Sequence, residues 1–139
     1  MMLDECILDN DIQEALRASS SFDACTTFDL GFIPTEPDEN LVAGTVTHGR
    51  VLLTKDKKTI TAKRYPPCDH GGIVQIRKNE CDSDYVLKRL DALRFLGLED
   101  KVVGHFTYVY FDKIKVVTHN ETIEEHFKDH AELQHIIEQ

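Results

Sequence analysis

The run Val51-Leu52-Leu53-Thr54 stays apolar up to its last residue, where a strand exposed on one face would alternate. A strand of this kind is buried on both faces, which implies a largely parallel sheet with helices packed above and below it. The remaining pattern agrees. Met1 to Leu3 reads as the end of a first strand, a helix follows over roughly 11–20 with Ile12, Ala15 and Leu16 on one face, and Phe22 to Phe28 is a β-branched and aromatic second strand. Asp38 opens a second helix that closes at His48-Gly49, just before the buried strand. Ile73 to Ile76 gives a fourth strand, and Asp82 or Ser83 caps a helix with Val86, Leu90, Leu93 and Leu96 on one stripe and Gly97 as its stop. Val102 to Phe111 and Ile114 to Val117 read as paired strands, and a final helix is expected from about residue 121, carrying Ile123, Phe127, Ile136 and Ile137.

The expectation is therefore one α/β domain over residues 1–139, with a mainly parallel central sheet of about five strands and helices on both faces. The last helix would pack on the domain or at a dimer interface. In sheets of this kind ligands bind at the carboxyl ends of the strands, where the strand order reverses. That edge gathers acids: Asp4 and Glu5 after the first strand, Asp38 at the helix that leads into the third, and Asp56 just past the third. Clustered carboxylates repel one another, so they call for a cation, and oxygen-only ligands suit Mg²⁺ or Mn²⁺.

Charge is segregated around the same edge. The chain carries a net −9, yet residues 50–64 hold six basic side chains against the single acid Asp56, a local +5, so the remainder carries −14. Such a patch can hold a polyanion while the rest of the surface repels it. Cysteines 6, 25, 68 and 81 form no CxxC pair, and Cys68-Asp69-His70 reads as a loop beside the strand edge. No apolar run approaches the ~18 residues of a membrane span. A reduced, cytoplasmic protein is expected. His126 and His130, four apart, would share a face of the last helix, where the surrounding acids make them a solvated surface pair.

Leu3-Asp4-Glu5, then Pro37-Asp38-Glu39, then Gly49-Arg-Val-Leu-Leu-Thr-Lys-Asp56, together with Gly72-Ile-Val-Gln-Ile-Arg77, resemble the PIN-like nuclease superfamily, in particular the small prokaryotic branch related to VapC-type toxin ribonucleases. The resemblance implies a metal-dependent ribonuclease with Asp4, Asp38 and Asp56 as metal ligands, Glu5 beside them, and Thr54 orienting Asp56 or a bound water. Lys55, Lys57, Lys58, Lys63 and Arg64 would then grip the RNA backbone. A cognate antitoxin and a homodimer are further implications. One departure matters: many relatives place a second aspartate and a phenylalanine after the third strand, where this chain has Lys57-Lys58-Thr59. A catalytically degenerate RNA- or partner-binding protein is the alternative. A phosphoacceptor receiver domain would use Asp4-Glu5 and Asp56, but no Lys-Pro occurs and Asp38 would have no role.

Overall fold

The computed structural model describes residues 2–3, 10–19, 23–33, 36–78 and 81–137. Among them, seven strands form one mixed sheet. The strands are β1 (Met2–Leu3), β2 (Cys25–Thr26), β3 (Leu52–Thr54), β4 (Ile73–Ile76), β5 (Phe106–Val109), β6 (Lys113–Val117) and β7 (Thr122–His126). Their order is β2-β1-β3-β4-β5-β6-β7. The first five run parallel, and β6 and β7 extend the sheet as antiparallel hairpins. The parallel part has the 2-1-3-4-5 order of doubly wound sheets, whose switch point lies between β1 and β3.

Helices cover both faces. On one, α1 (Asn10–Ala18), α3 (Ser83–Phe95) and the short α5 (Gln134–Ile137) share a core with Leu53, Val74, Ile76, Val109, Ile114 and Val116. On the other, Leu41 and Val42 of α2 (Asp38–His48) meet Leu52, Ile73, Phe106 and Ile60. Leu52 and Leu53 thus point to opposite cores, and both are fully buried, as the continuous apolar run requires. Each such side chain contributes about 2 kcal/mol of burial. Residues 55–72, between β3 and β4, contain no helix; Ile60 and Tyr65 take the place of one on the α2 face.

Local chemistry sets the boundaries. Asp82 caps α3 by accepting the Tyr85 N–H at 2.8 Å. Gly49 ends α2 in the left-handed conformation at φ 62°. Of the expected strand over residues 22–28, Phe22 lies outside the described residues and Cys25–Thr26 form β2, which ends where Thr26 and Asp29 cap one another. The Thr26 N–H donates to Asp29 Oδ2 at 3.2 Å and the Asp29 N–H to Thr26 Oγ1 at 3.1 Å, which turns the chain into a 3-10 turn over Phe28–Leu30. The expected strand over Val102 to Phe111 shortens to β5, because Val102 belongs to a helical turn, α4 (Glu99–Val102), and residues 103–105 and 110–111 lie outside the strand.

The expected helix from about residue 121 is incorrect. Residues 122–126 form β7, paired with β6 so that Ile123 lies opposite Val116 and Glu124 opposite Lys115, with Lys113 Nζ 2.5 Å from Glu124 Oε1. Cross-strand pairing overrides the helical preference of a glutamate-rich segment. Two 3-10 turns and α5 follow, and α5 packs on α3 within the domain. His126 and His130 therefore share no helix face: His126 ends β7, and His130 Nε2 lies 2.9 Å from Glu125 Oε2.

Gly72, which enters β4, has φ 129°, and a Cβ there would sit 2.7 Å from the Val102 carbonyl oxygen; at Gly49 a Cβ would meet nothing within 4 Å. Gly72→Ala is expected to lower unfolding free energy by about 2–4 kcal/mol and Gly49→Ala by about 1 kcal/mol in denaturant titrations. Equal losses would mean that the carbonyl contact is not a constraint.

Candidate functional site

Because α2 runs antiparallel to the strands, its N-terminus and the end of β3 lie at the same carboxyl edge of the sheet, at the β1/β3 switch point. Asp38 and Glu39 occupy the first turn of α2, where carboxylates are favoured by the helix dipole. Asp56 leaves β3 two residues after Thr54. Asp4 and Glu5 lie outside the described residues, in the segment after β1.

Asp56 is held from several directions. Its N–H donates to Thr54 Oγ1 at 3.1 Å, so the buried threonine orients the backbone of Asp56 rather than its carboxylate. Oδ1 accepts the Lys58 and Thr59 amides at 2.9 and 3.0 Å, and Oδ2 accepts the Thr59 hydroxyl at 2.5 Å. Burial pushes the Asp56 pKa up, but the Thr59 hydroxyl and the amides of Thr59, Lys58 and Ile60 outweigh it, leaving the carboxyl below its ordinary value. A carboxylate has about four lone-pair sites, and the donors of its own turn engage most of them. An oxygen donor of this kind fits Mg²⁺ or Mn²⁺.

Gln75 of β4, 1% exposed, fixes the segment that follows. Its Nε2 donates to the Asp56 carbonyl at 2.5 Å and the Ile60 carbonyl at 2.7 Å, while its Oε1 accepts from Arg77 at 2.7 Å. The turn is drawn back to α2 by Arg64, which donates to the Glu39 carboxylate and, at 3.2 Å, to the Thr59 carbonyl. Tyr65 follows, its ring centroid 5.3 Å from the Arg64 guanidinium. Burial raises its pKa; the Arg64 guanidinium opposes that, and the charges of Glu39, Asp38 and Asp56 reinforce it. Its hydroxyl is buried with no hydrogen-bond partner among the described residues.

The basic residues divide. Lys58 and Lys63 are exposed, Lys55 and Lys57 half-buried, and Arg64 is committed to Glu39. Beyond them, sequence reading passed over a second basic surface on the same sheet face as Gln75. Arg77 stacks 5.5 and 5.9 Å from the ring centroids of Tyr108 and Tyr110, Lys115 Nζ lies 5.8 Å from Tyr108, and Lys113 Nζ 5.1 Å from Tyr110. The period-two spacings Tyr108-x-Tyr110 and Lys113-x-Lys115 carry that signal.

No family model, no curated protein and no solved structure matches the chain. No described helix is long and apolar enough to cross a membrane.

Since Asp56 caps its own turn, Asp56→Ala should cost about 1–2 kcal/mol of stability in metal-free buffer. An acid tolerated only for function would instead be relieved by removal, and a more stable variant in thermal melts would contradict the capping role.

Proposed function

We propose that the protein is a Mg²⁺- or Mn²⁺-dependent ribonuclease of PIN-like type. The observation that carries this reading is that the N-terminus of α2, with Asp38 and Glu39, and the turn of Asp56 after β3 meet at the sheet's carboxyl edge, where Arg64 joins the Glu39 carboxylate to the Thr59 carbonyl. In this reading Asp38 and Asp56, with Asp4 and Glu5 from the segment after β1, would hold one or two ions, which supply an activated water and stabilisation of the leaving oxygen. Lys55, Lys57, Lys58 and Lys63 would hold phosphates, while Arg64 keeps the turn against α2 instead of reaching out. Tyr108 and Tyr110, with Arg77, Lys113 and Lys115, would form a platform on which unpaired bases stack, which favours single-stranded RNA. A toxin or RNA-processing role beside a cognate antitoxin, and a homodimer, belong to the same proposal.

A catalytically degenerate RNA-binding protein is the second reading, and one observation favours it: three of the acceptor sites of Asp56 are spent on its own turn. The receiver reading draws on the same strand order, but it leaves Asp38 idle and expects a Lys-Pro that the chain lacks.

Purified protein incubated with single-stranded and structured RNAs should cleave with Mn²⁺ and stop with EDTA, and Asp38→Asn or Asp56→Asn should each slow cleavage about 100-fold or more. Cleavage by an Asp4→Asn/Asp56→Asn double variant at the wild-type rate would refute the site. If the wild type binds but never cleaves, Tyr108→Ala should still weaken RNA binding by roughly 10-fold or more, since a stacked base is worth about 1–3 kcal/mol.

A further inference from the structure

At the end of the sheet opposite Asp38 and Asp56, three turns bring together side chains that are far apart in sequence. Cys68, His105 and His119 each offer a ligand atom, and the three atoms lie within 4.8 Å of one another. Cys68 Sγ is 3.6 Å from His119 Nδ1, and the His105 and His119 rings stack with centroids 6.2 Å apart and planes 22° from parallel.

Each donor is positioned by its own backbone. Cys68 takes φ 74°, left-handed and uncommon for a residue with a Cβ, and its N–H donates to the Gly104 carbonyl at 2.7 Å. The Gly104 N–H returns a bond to the Gly71 carbonyl at 2.9 Å, so the loop over residues 66–72 is tied to the turn that carries His105. His105 Nδ1 lies 2.7 Å from the Lys101 carbonyl. A carbonyl only accepts, so Nδ1 carries the proton and Nε2 is left with the lone pair, the arrangement that prepares an imidazole for a metal. His119 sits in the β6–β7 turn, where the Thr118 hydroxyl accepts the Asn120 and Glu121 amides at 3.3 and 3.0 Å.

His70, two residues from Cys68, is no part of the cluster. Its Nδ1 accepts the Gly72 N–H at 3.1 Å and its Nε2 faces the Tyr65 carbonyl at 3.1 Å, so both nitrogens are engaged and the ring serves to fold the loop.

A thiol hydrogen bond to one histidine would account for Cys68 and His119 alone. It leaves unexplained a third donor whose tautomer is already set. One sulfur and two imidazole nitrogens form a donor set of intermediate softness, unlike the carboxylates at the other edge. In a tetrahedral zinc site, with Zn–S of ~2.3 Å and Zn–N of ~2.0–2.1 Å, sulfur and nitrogen stand about 3.6 Å apart. That matches the 3.6 Å found between Cys68 and His119. Cys68 is exposed and His105 and His119 lie at or near the surface, so small side-chain rotations suffice to close the wider separations.

We propose that Cys68, His105 and His119 bind one zinc ion, with water in the fourth position. Binding forms one Zn–S and two Zn–N bonds and releases the thiol proton to solvent, so affinity rises with pH. The ion clamps the loop over residues 66–72 to the turns at both ends of the β5–β6 hairpin's open side. The proposal does not rest on the nuclease reading, since none of its ligands belongs to that edge.

The test is a titration of the metal-free full chain with Co²⁺ and then Zn²⁺. One equivalent of Co²⁺ should give tetrahedral d–d absorption together with a thiolate-to-metal charge-transfer band, and Zn²⁺ should displace it. Cys68→Ser should abolish the charge-transfer band, and Cys68→Ser, His105→Gln and His119→Gln should each weaken Zn²⁺ binding by on the order of tenfold or more. Cys25→Ser, Cys81→Ser and Asp56→Asn should leave the spectrum unchanged. Circular dichroism checks the fold of each variant, and His119→Gln, in an exposed turn, carries the test if Cys68→Ser does not fold. A cobalt spectrum without the charge-transfer band, or a band that survives Cys68→Ser, would overturn the site.

Discussion

The buried amide of Gln75 is what the carboxyl edge depends on. A parallel strand pair needs a long crossover, and this chain makes the one between β3 and β4 without a helix, so its backbone groups cannot satisfy themselves. Gln75 supplies the missing partner by donating to the carbonyls of Asp56 and Ile60. A polar side chain placed in a strand that is otherwise apolar would be costly if unpaired. Here it is paired at both ends, because its oxygen accepts from Arg77. The acid-bearing turn and the arginine are thereby joined by hydrogen bonds, and the cation–π contacts of Arg77 extend the link to Tyr108 and Tyr110.

That arrangement separates the two ends of the sheet chemically. The carboxyl edge offers hard oxygen donors ringed by lysines. The opposite edge offers sulfur and nitrogen donors from Cys68, His105 and His119. The doubly wound order puts strand starts and strand ends on different sides of the molecule, so two donor sets can coexist without competing for the same ion. Thr45 of α2 links them mechanically: its hydroxyl accepts the Gly71 N–H at 2.7 Å, so the helix that begins at Asp38 ends against the loop that carries Cys68.

Much of the architecture was legible in local pattern. The continuous run at 51–54, the Gly49 and Gly97 stops and the Asp82 cap each act within a few residues, and the structure places α2, β3, β4 and α3 where those signals put them. Segment 122–126 was not legible, because Ile123 and Phe127 fit a helical stripe as well as alternate strand positions, and only pairing with β6 decides between them. Asp38 and Asp56 could be assigned to one edge from topology alone, but the packing of Tyr65 on the α2-side core could not, since it arrives there through the path of an irregular loop. Cys68, His105 and His119 come from three separate turns, and no spacing in the chain announces such a cluster.

Amide hydrogen exchange in the wild type and in Gln75→Leu shows whether a buried glutamine holds the β3–β4 crossover as a rigid platform. The amides of Lys58 and Thr59, which donate to Asp56 Oδ1, should be protected in the wild type. In the variant they should exchange on the order of tenfold faster or more, under conditions where the amides of α3 remain protected. Unchanged protection at Lys58 and Thr59 would contradict the account, because the turn would then stand without its anchor.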